Sequence, residues 1–446
     1  MKNRNGLVWL KQKLLPQGSR REQIWVELRQ LARLIGREGV KGILQYLRLK
    51  RHGEQLLFPA WWLTHTIRPM DNQLPVFLHA LDIPSIQGIV VIYAATPYQT
   101  SEGQRSTWLA RAFLRAGWAV IYGYWRWSPS DREVEILEQG KLLQLPLDEL
   151  WAQSHEIFSS MVFGDIPRLF LVEFPHPSLF NMINLANAFD WFTIYDRIDD
   201  WLAFYQKGQA AWYDVDFERY LVRNVTRCSI TTKSLGEAIQ EWGIESALLI
   251  PNAYEPGAFS ILPSGRLGEQ PFTVGYFGHL TSAWFDWDLI IQLAEKRTEW
   301  IIELIGPGLP PRSIPDNIHL TGRLPHAELA DHAAHWNVAI IPFQEGDLSR
   351  AVDPIKVYEY LALGKPVVVT GMPHLSQMPY VYPAQSADEF EEMILEASGM
   401  TLDEQVIARF LSENNWDQRI KVILQEISPS FRLFTDGSGS SMGDQP

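Results

Sequence analysis

Lys356 and Glu359 stand three residues apart in DPIKVYEYLALGKPVVVT, residues 353–370. Asp353 is a good N-cap, Pro354 suits the first helical position and Gly364 suits the position just past the end, so the stretch predicts a helix of about ten residues. The spacing then puts an ammonium and a carboxylate one turn apart on one face, in the N-terminal half of that helix. A helix N-terminus with a lysine beside it is a cradle for phosphate. A carboxylate one turn deeper repels phosphate but accepts hydrogen bonds from the paired hydroxyls of a ribose. Phosphate and ribose on one helix describe a nucleotide. The same spacing also describes an exposed ion pair, worth about 0.2–0.5 kcal/mol. Asp353, if it caps the helix, occupies amides that a phosphate would need.

Other candidates are more scattered. YDRIDDW (195–201) offers Asp196, Asp199 and Asp200 after a strand-like run, with Asp199 the best candidate for a cleft-facing carboxylate and capping or solvated surface the competing reading. His176 in PHPSL stands at another strand end, where a local turn contact competes with a role in the site. The segment Gln99 to Arg105 follows the first strand but lacks a glycine signature. Trp125, Trp127 and Trp284 lie near strand ends and have the apolar faces that stack on sugar rings. Cys228, the single cysteine, lies in a strand-like run and reads as core.

Strands and helices in alternation position these residues. GIVVIYAA (88–95), a helix carrying Trp108, Leu109, Ala112, Phe113 and Ala116 on one face, and WAVIYGY make a βαβ unit, with right-handed parallel crossover the default. RLFLVEF, FTIYDRI, CSITT and ALLIPN continue the strands, and Ser234 with Glu237 reads as a capping box. The Pro/Gly/Ser-rich residues 256–271 read as a linker. A second series follows: FTVGYFG, a helix near 286–297, WIIELIG, IHLTG, a helix near 325–335, VAIIPF, the helix above and PVVVT. The expected architecture is therefore α/β, two doubly wound Rossmann-like domains facing a cleft, at 86–255 and 272–427. Residues 1–85 form a basic helical N-terminal extension and residues 428–446 a disordered tail in this scheme.

The bulk numbers limit the alternatives. A chain of 446 residues favours two or three domains. Residues 1–53 carry thirteen Lys/Arg against three Glu, while the remainder is acidic, so the formal charge of −13 hides a basic arm on an acidic body. The acidic body argues against nucleic acid as the main partner. The arm's amphipathic spacing suits an anionic membrane surface, or equally a hairpin packed on the body. Neither a membrane-spanning apolar run nor a signal-peptide pattern is expected, and one cysteine suits a reducing cytoplasm.

Beyond the helix, IHLTGRLPHAELADHAAHWNVAIIPF, IPNAYEPGAF, FTVGYFGHL and SENNWDQRI, taken with the Asp-Pro-x-Lys-x-x-Glu helix, resemble the segments of GT-B glycosyltransferases of the family 4 type. The resemblance runs from about residue 88 to 425 and is most specific over 272–370, in a form similar to enzymes of bacterial cell-envelope polysaccharide synthesis. It implies transfer of a sugar from a nucleotide-sugar donor (a UDP-, GDP- or dTDP-sugar) to a hydroxyl of a glycan or lipid-linked glycan, retaining and without a metal or other cofactor. By the same resemblance Glu359 holds the donor ribose, Lys356 the diphosphate, Gly278 and His279 the loop beneath it, and Arg323 and Leu324 the edge of the base pocket. One departure stands out. The family commonly places a second Glu eight residues before the first, and here that position is Ala351, with Glu345, Asp347 or Asp353 as candidate substitutes. A sugar-nucleotide epimerase on the same fold is disfavoured because Asp-Pro stands where a Ser-Gly-Gly loop is expected. A non-catalytic nucleotide-sugar-binding partner of an assembly complex is the remaining alternative.

Overall fold

The computed structural model describes residues 73–99, 103–125, 134–259 and 271–436, with side chains through 427. The basic arm, Trp127 and most of the expected linker lie outside the described residues.

Two separate sheets carry the chain. In the first, Gly88–Ala94 (β1), Trp118–Tyr124 (β2), Glu135–Leu137 (β3), Leu142–Pro146 (β4), Arg168–Val172 (β5), Phe192–Arg197 (β6), Arg227–Ile230 (β7) and Leu248–Leu249 (β8) lie in the order β3-β4-β2-β1-β5-β6-β7-β8. All pairs are parallel except β3 with β4. Every residue of β1 and β2 is buried, which is why these strands read as continuous apolar runs rather than as alternation. The second sheet holds Thr273–Phe277 (β9), Ile301–Ile305 (β10), Ile318–Gly322 (β11), Val338–Ile341 (β12), Val367–Thr370 (β13) and Val381–Ala384 (β14), all parallel, in the order β11-β10-β9-β12-β13-β14. Each sheet reverses its winding direction beside its first strand, between β1 and β5 and between β9 and β12. Such reversals open crevices at the carboxyl ends of strands. These are the two doubly wound units that the α/β alternation predicts, in the GT-B arrangement that the resemblance implies.

Three details differ from the sequence expectations. Residues 74–85 belong to the first core rather than to an extension, because Leu74, Phe77, Leu78 and Leu81 pack into it. The final helix, Trp416–Asp436, does not stay with the second sheet. Its Trp416, Ile420, Ile423 and Ile427 pack on the helix Arg105–Arg115 of the first unit, and Arg115 bonds Asp417 at 2.8 Å. Its backbone is helical through Asp436, past the start expected for a disordered tail. Ser234 does not open a capping box, since Thr232 holds the N-cap position and the Ser234 hydroxyl donates to Arg350 O across the unit boundary, 3.0 Å away.

Candidate functional site

The helix that carries Lys356 and Glu359 spans Ile355–Ala362, with Pro354 in the cap position and no side chain capping its amides. Asp353 does not act as the cap. Its Oδ2 accepts from the Asn252 amide at 2.6 Å and from the Tyr358 hydroxyl at 3.3 Å, so the carboxylate ties this helix to the end of the first unit. Burial raises its pKa. The amides of Ile355 and Lys356 are left without a side-chain cap, while the Val357 amide donates to Pro354 O at 3.1 Å, and the expected competition between the Asp353 carboxylate and an anion does not arise.

That space is a cavity of about 710 Å³ between the carboxyl ends of the two sheets. Asp199, Gly278, His279, Arg323, Leu324, Lys356 and Glu359, named from the sequence, all line it. Lys356 and Glu359 are not an ion pair. The Lys356 ammonium meets the Tyr276 hydroxyl at 3.3 Å and sits 4.9 and 5.4 Å from the ring centres of Tyr276 and Phe343. Desolvation lowers its pKa to about 8, against the opposing pull of Glu359. Glu359 Oε1 instead meets His326 Nε2 at 2.8 Å.

The floor of the cavity is backbone in close approach. Gly278 follows β9 and Gly306 follows β10, both with φ of +144°. A Cβ on Gly306 would lie 1.9 Å from Gly278 O, and one on Gly278 would lie 2.7 Å from Lys356 Nζ. Only glycine leaves room for the lysine and the two loops together. The Gly278 amide donates to Ile305 O at 2.8 Å, so this glycine supplies space rather than a donor. His279 is exposed at the mouth. Its pKa is lowered first by desolvation and then by the nearby charges of Lys356 and Arg323.

On the opposite wall the three aspartates of YDRIDDW separate cleanly. Asp196 is consumed by Arg105 at 2.7 and 3.1 Å and by Ser229 at 2.6 Å, and Asp200 caps the helix Trp201–Gln206. Asp199 alone faces the cavity, with no hydrogen bond to the described residues, and desolvation raises its pKa to about 7. Of the Gln99–Arg105 segment, Gln99, Gly103 and Gln104 line the cavity, while Arg105 is buried beneath it. Trp284 lines it with Phe204, their ring centres 5.8 Å apart. His176 and Trp125 do not. They pack on each other, ring centres 4.9 Å apart, and His176 Nδ1 meets Ser178 in a local turn.

Ala351 is buried in the core of the first unit, not in the cavity. Thr232 Oγ1 donates to its carbonyl at 2.9 Å. Glu345 and Asp347 do not replace the missing carboxylate, because both pair with Arg350 on the exposed surface. Leu348 and Val352 face the cavity from this loop, and Asp353 does so with Oδ2 already engaged. Sequence reasoning passed over His326, Asn252 and Phe204. His326 lay within a quoted segment, but nothing in its spacing reveals a partner 33 positions away.

Two crevices at strand reversals, meeting across one cavity, define the GT-B class of fold. Comparison with known proteins agrees at that level. The chain superposes on a sucrose-phosphate synthase of Thermosynechococcus elongatus with a TM-score of 0.61 and 17% identity, covering 78% of this chain and 100% of that one. On Anabaena HepE, in complex with UDP and glucose, the TM-score is 0.54 with 14% identity, covering 76% and 99%. In sequence it is 29% identical over 157 residues to TuaH of Bacillus subtilis (strain 168), a protein named provisionally as a teichuronic acid biosynthesis glycosyltransferase. That match takes in 33% of this chain and 38% of the relative's length. No protein-family model matches the chain.

Proposed function

We propose that this protein is a glycosyltransferase that moves a sugar from a nucleotide-sugar donor to an acceptor hydroxyl in bacterial cell-surface polysaccharide or glycolipid synthesis. The observation that carries the reading is the uncapped helix at Ile355, which presents Lys356 and Glu359 to one cavity without pairing them to each other. In this reading the helix amides and Lys356 hold the diphosphate, Glu359 the ribose, and Arg323 and Leu324 the base. The bond from the sugar's anomeric carbon to the diphosphate oxygen breaks as the acceptor oxygen attacks on the same face. The acceptor's proton passes to the departing diphosphate, whose charge the amides and ammonium stabilise. The reaction is retaining and needs neither a metal nor a protein nucleophile. Asp199, on the facing wall, orients the acceptor.

A thermal-shift panel of UDP-, GDP- and dTDP-sugars tests this. One class stabilises the wild type, and Glu359→Ala and Lys356→Ala each abolish the response. No response from the wild type removes the reading. A response that both variants retain removes the site assignment.

A second reading, a non-catalytic nucleotide-sugar-binding partner in an assembly complex, draws support from Ala351, which fills the position of the second Glu and turns into the core of the first unit, while Glu345 and Asp347 pair with Arg350. Tight donor binding without nucleoside diphosphate release, in the presence of membrane-extracted glycan acceptors, selects it.

Among the described residues no helix is long and apolar enough to cross a membrane. The proposed setting is the cytoplasm, with residues 1–53 docking on the anionic inner face of the cytoplasmic membrane. Deleting them abolishes binding to phosphatidylglycerol vesicles, and unchanged binding makes the arm a packing element.

A further inference from the structure

Glu359 has two carboxylate oxygens, and within the described residues the chain uses one of them. Oε1 meets His326 Nε2 at 2.8 Å, while Oε2 has no partner on a side chain that lines the cavity. A carboxylate only accepts, so Nε2 carries the proton in this pair. His326 itself is tightly held. It opens the single 3-10 turn His326–Glu328 after β11, its ring centre lies 4.7 Å from that of Phe259, and the Trp108 ring of the first unit meets it edge-on at 6.0 Å. Gly103, on the loop after β1, brings the same unit up to this pair. A Cβ built there lies 3.6 Å from His326 Cδ2 and 3.9 Å from Glu359 Oε1. The imidazole is therefore wedged between the Trp108 ring of the first unit, the Phe259 ring packed on the second, and the Glu359 carboxylate.

We propose that His326 is a positioning residue for ribose recognition: it fixes the Glu359 carboxylate so that Oε2 meets the ribose hydroxyls. The proposal rests on the nucleotide-sugar reading above. A glutamate side chain has three rotatable bonds, and a free one would sample positions away from the ribose before binding. The bond from His326 removes that freedom in advance, and the packing of Phe259 and Trp108 removes the freedom of His326 in turn.

Titration calorimetry with UDP and GDP, and with the 2′,3′-dideoxy analogue of whichever binds, tests the proposal. For the wild type the ribonucleotide binds more tightly than its dideoxy analogue. His326→Ala weakens the ribonucleotide by roughly ten- to hundredfold, the worth of a hydrogen bond to a charged group, and leaves the dideoxy analogue near its wild-type affinity. His326→Gln, which puts an amide donor near the position of Nε2, recovers most of the loss. In turnover the defect falls on the donor KM rather than on kcat. Equal weakening of both nucleotides, or unchanged ribonucleotide binding, overturns the proposal while leaving the nucleotide reading intact. Failure of the wild type to bind either nucleotide overturns both. If His326→Ala does not fold, His326→Leu keeps the packing against Phe259 and Trp108 while removing the donor, with the same expected pattern.

Discussion

Lys356 lies among aromatic rings with no carboxylate bonded to it, and its proton is correspondingly loosely held. An ammonium kept partly dry costs stability while it stays charged. Its folded pKa, about 8, lies below the ordinary 10.5, so the unfolded chain binds the proton more tightly and stability rises as pH climbs between those values. Lys356→Met is therefore expected to stabilise the unliganded protein at pH 7 by roughly 1–2 kcal/mol, after allowance for solvent screening. Thermal melts at pH 7, 9 and 10.5 check this, and the advantage of the variant shrinks across the series while its affinity for nucleoside diphosphates is lost throughout. Wild-type nucleotide affinity also falls as pH rises through 8. At this scale the sequence showed that Lys356 and Glu359 share a helix face. It did not show that they bond to different partners, because the rings of Tyr276 and Phe343 and the imidazole of His326 arrive from other elements. Asp353 is the clearest case. Its spacing fits an N-cap, and a tertiary partner, the Asn252 amide, takes the carboxylate instead.

The elements around the cavity are set by close backbone approach and by what the loop before the helix rests on. Gly306→Ala drives a Cβ to 1.9 Å from Gly278 O, so the β9 and β10 loops must separate. A loss of about 2–4 kcal/mol by denaturant titration is expected, with nucleotide affinity falling as the floor shifts. Ala351→Glu introduces the residue common at this position in the glycosyltransferases that the sequence resembles, but its side chain enters the core of the first unit rather than the cavity. It is expected to cost about 3 kcal/mol or more as an unpaired buried charge, with no gain in donor affinity. Improved donor binding in that variant would show that the loop can re-face the cavity. The strands were largely legible where both faces are covered, as in GIVVIYA and VVVT, since continuous apolar runs leave little ambiguity. β3, β4 and β14 were not; β4, LLQLP, is fully buried, but it is a five-residue run interrupted by Gln144 and closed by Pro146. β3 is three residues long and partly exposed, and β14, VYPA, lies at the sheet edge with a proline that reads as a breaker. Residues 353–363 read as slightly longer than the observed helix because Asp353 and Pro354 serve the junction instead.

Across the whole molecule the two units are joined by chemistry as well as by the connecting segment. The Asn252 amide reaches Asp353, Thr232 and Ser234 hold the carbonyls of Ala351 and Arg350, and Arg419 donates to Pro251 O and Asn252 O. The division into two α/β units was readable from the repeated strand–helix pattern. The return of the last helix to the first unit was not, because an amphipathic stripe declares that it needs a partner without saying which. Trp416, Ile420, Ile423 and Ile427 together bury apolar surface worth roughly 6–12 kcal/mol, comparable to the whole stability of a typical domain. Truncation after Asn414 is therefore expected to unfold the first unit before the second. A two-step melt by circular dichroism, with the lower step absent from the full chain, checks it.

The same helix bears on how the protein is made. A ribosome delivers residues 88–255 long before residue 416, so the face of Arg105–Arg115 that Trp416 covers waits uncovered while the entire second unit is synthesised. The first unit to emerge is thus the last to be finished, and stalled chains lacking residues 416–436 are expected to be cut by protease near residues 105–115, where the completed protein resists. Completion of the amino-terminal unit doubles as a test that translation has reached the end of the second one.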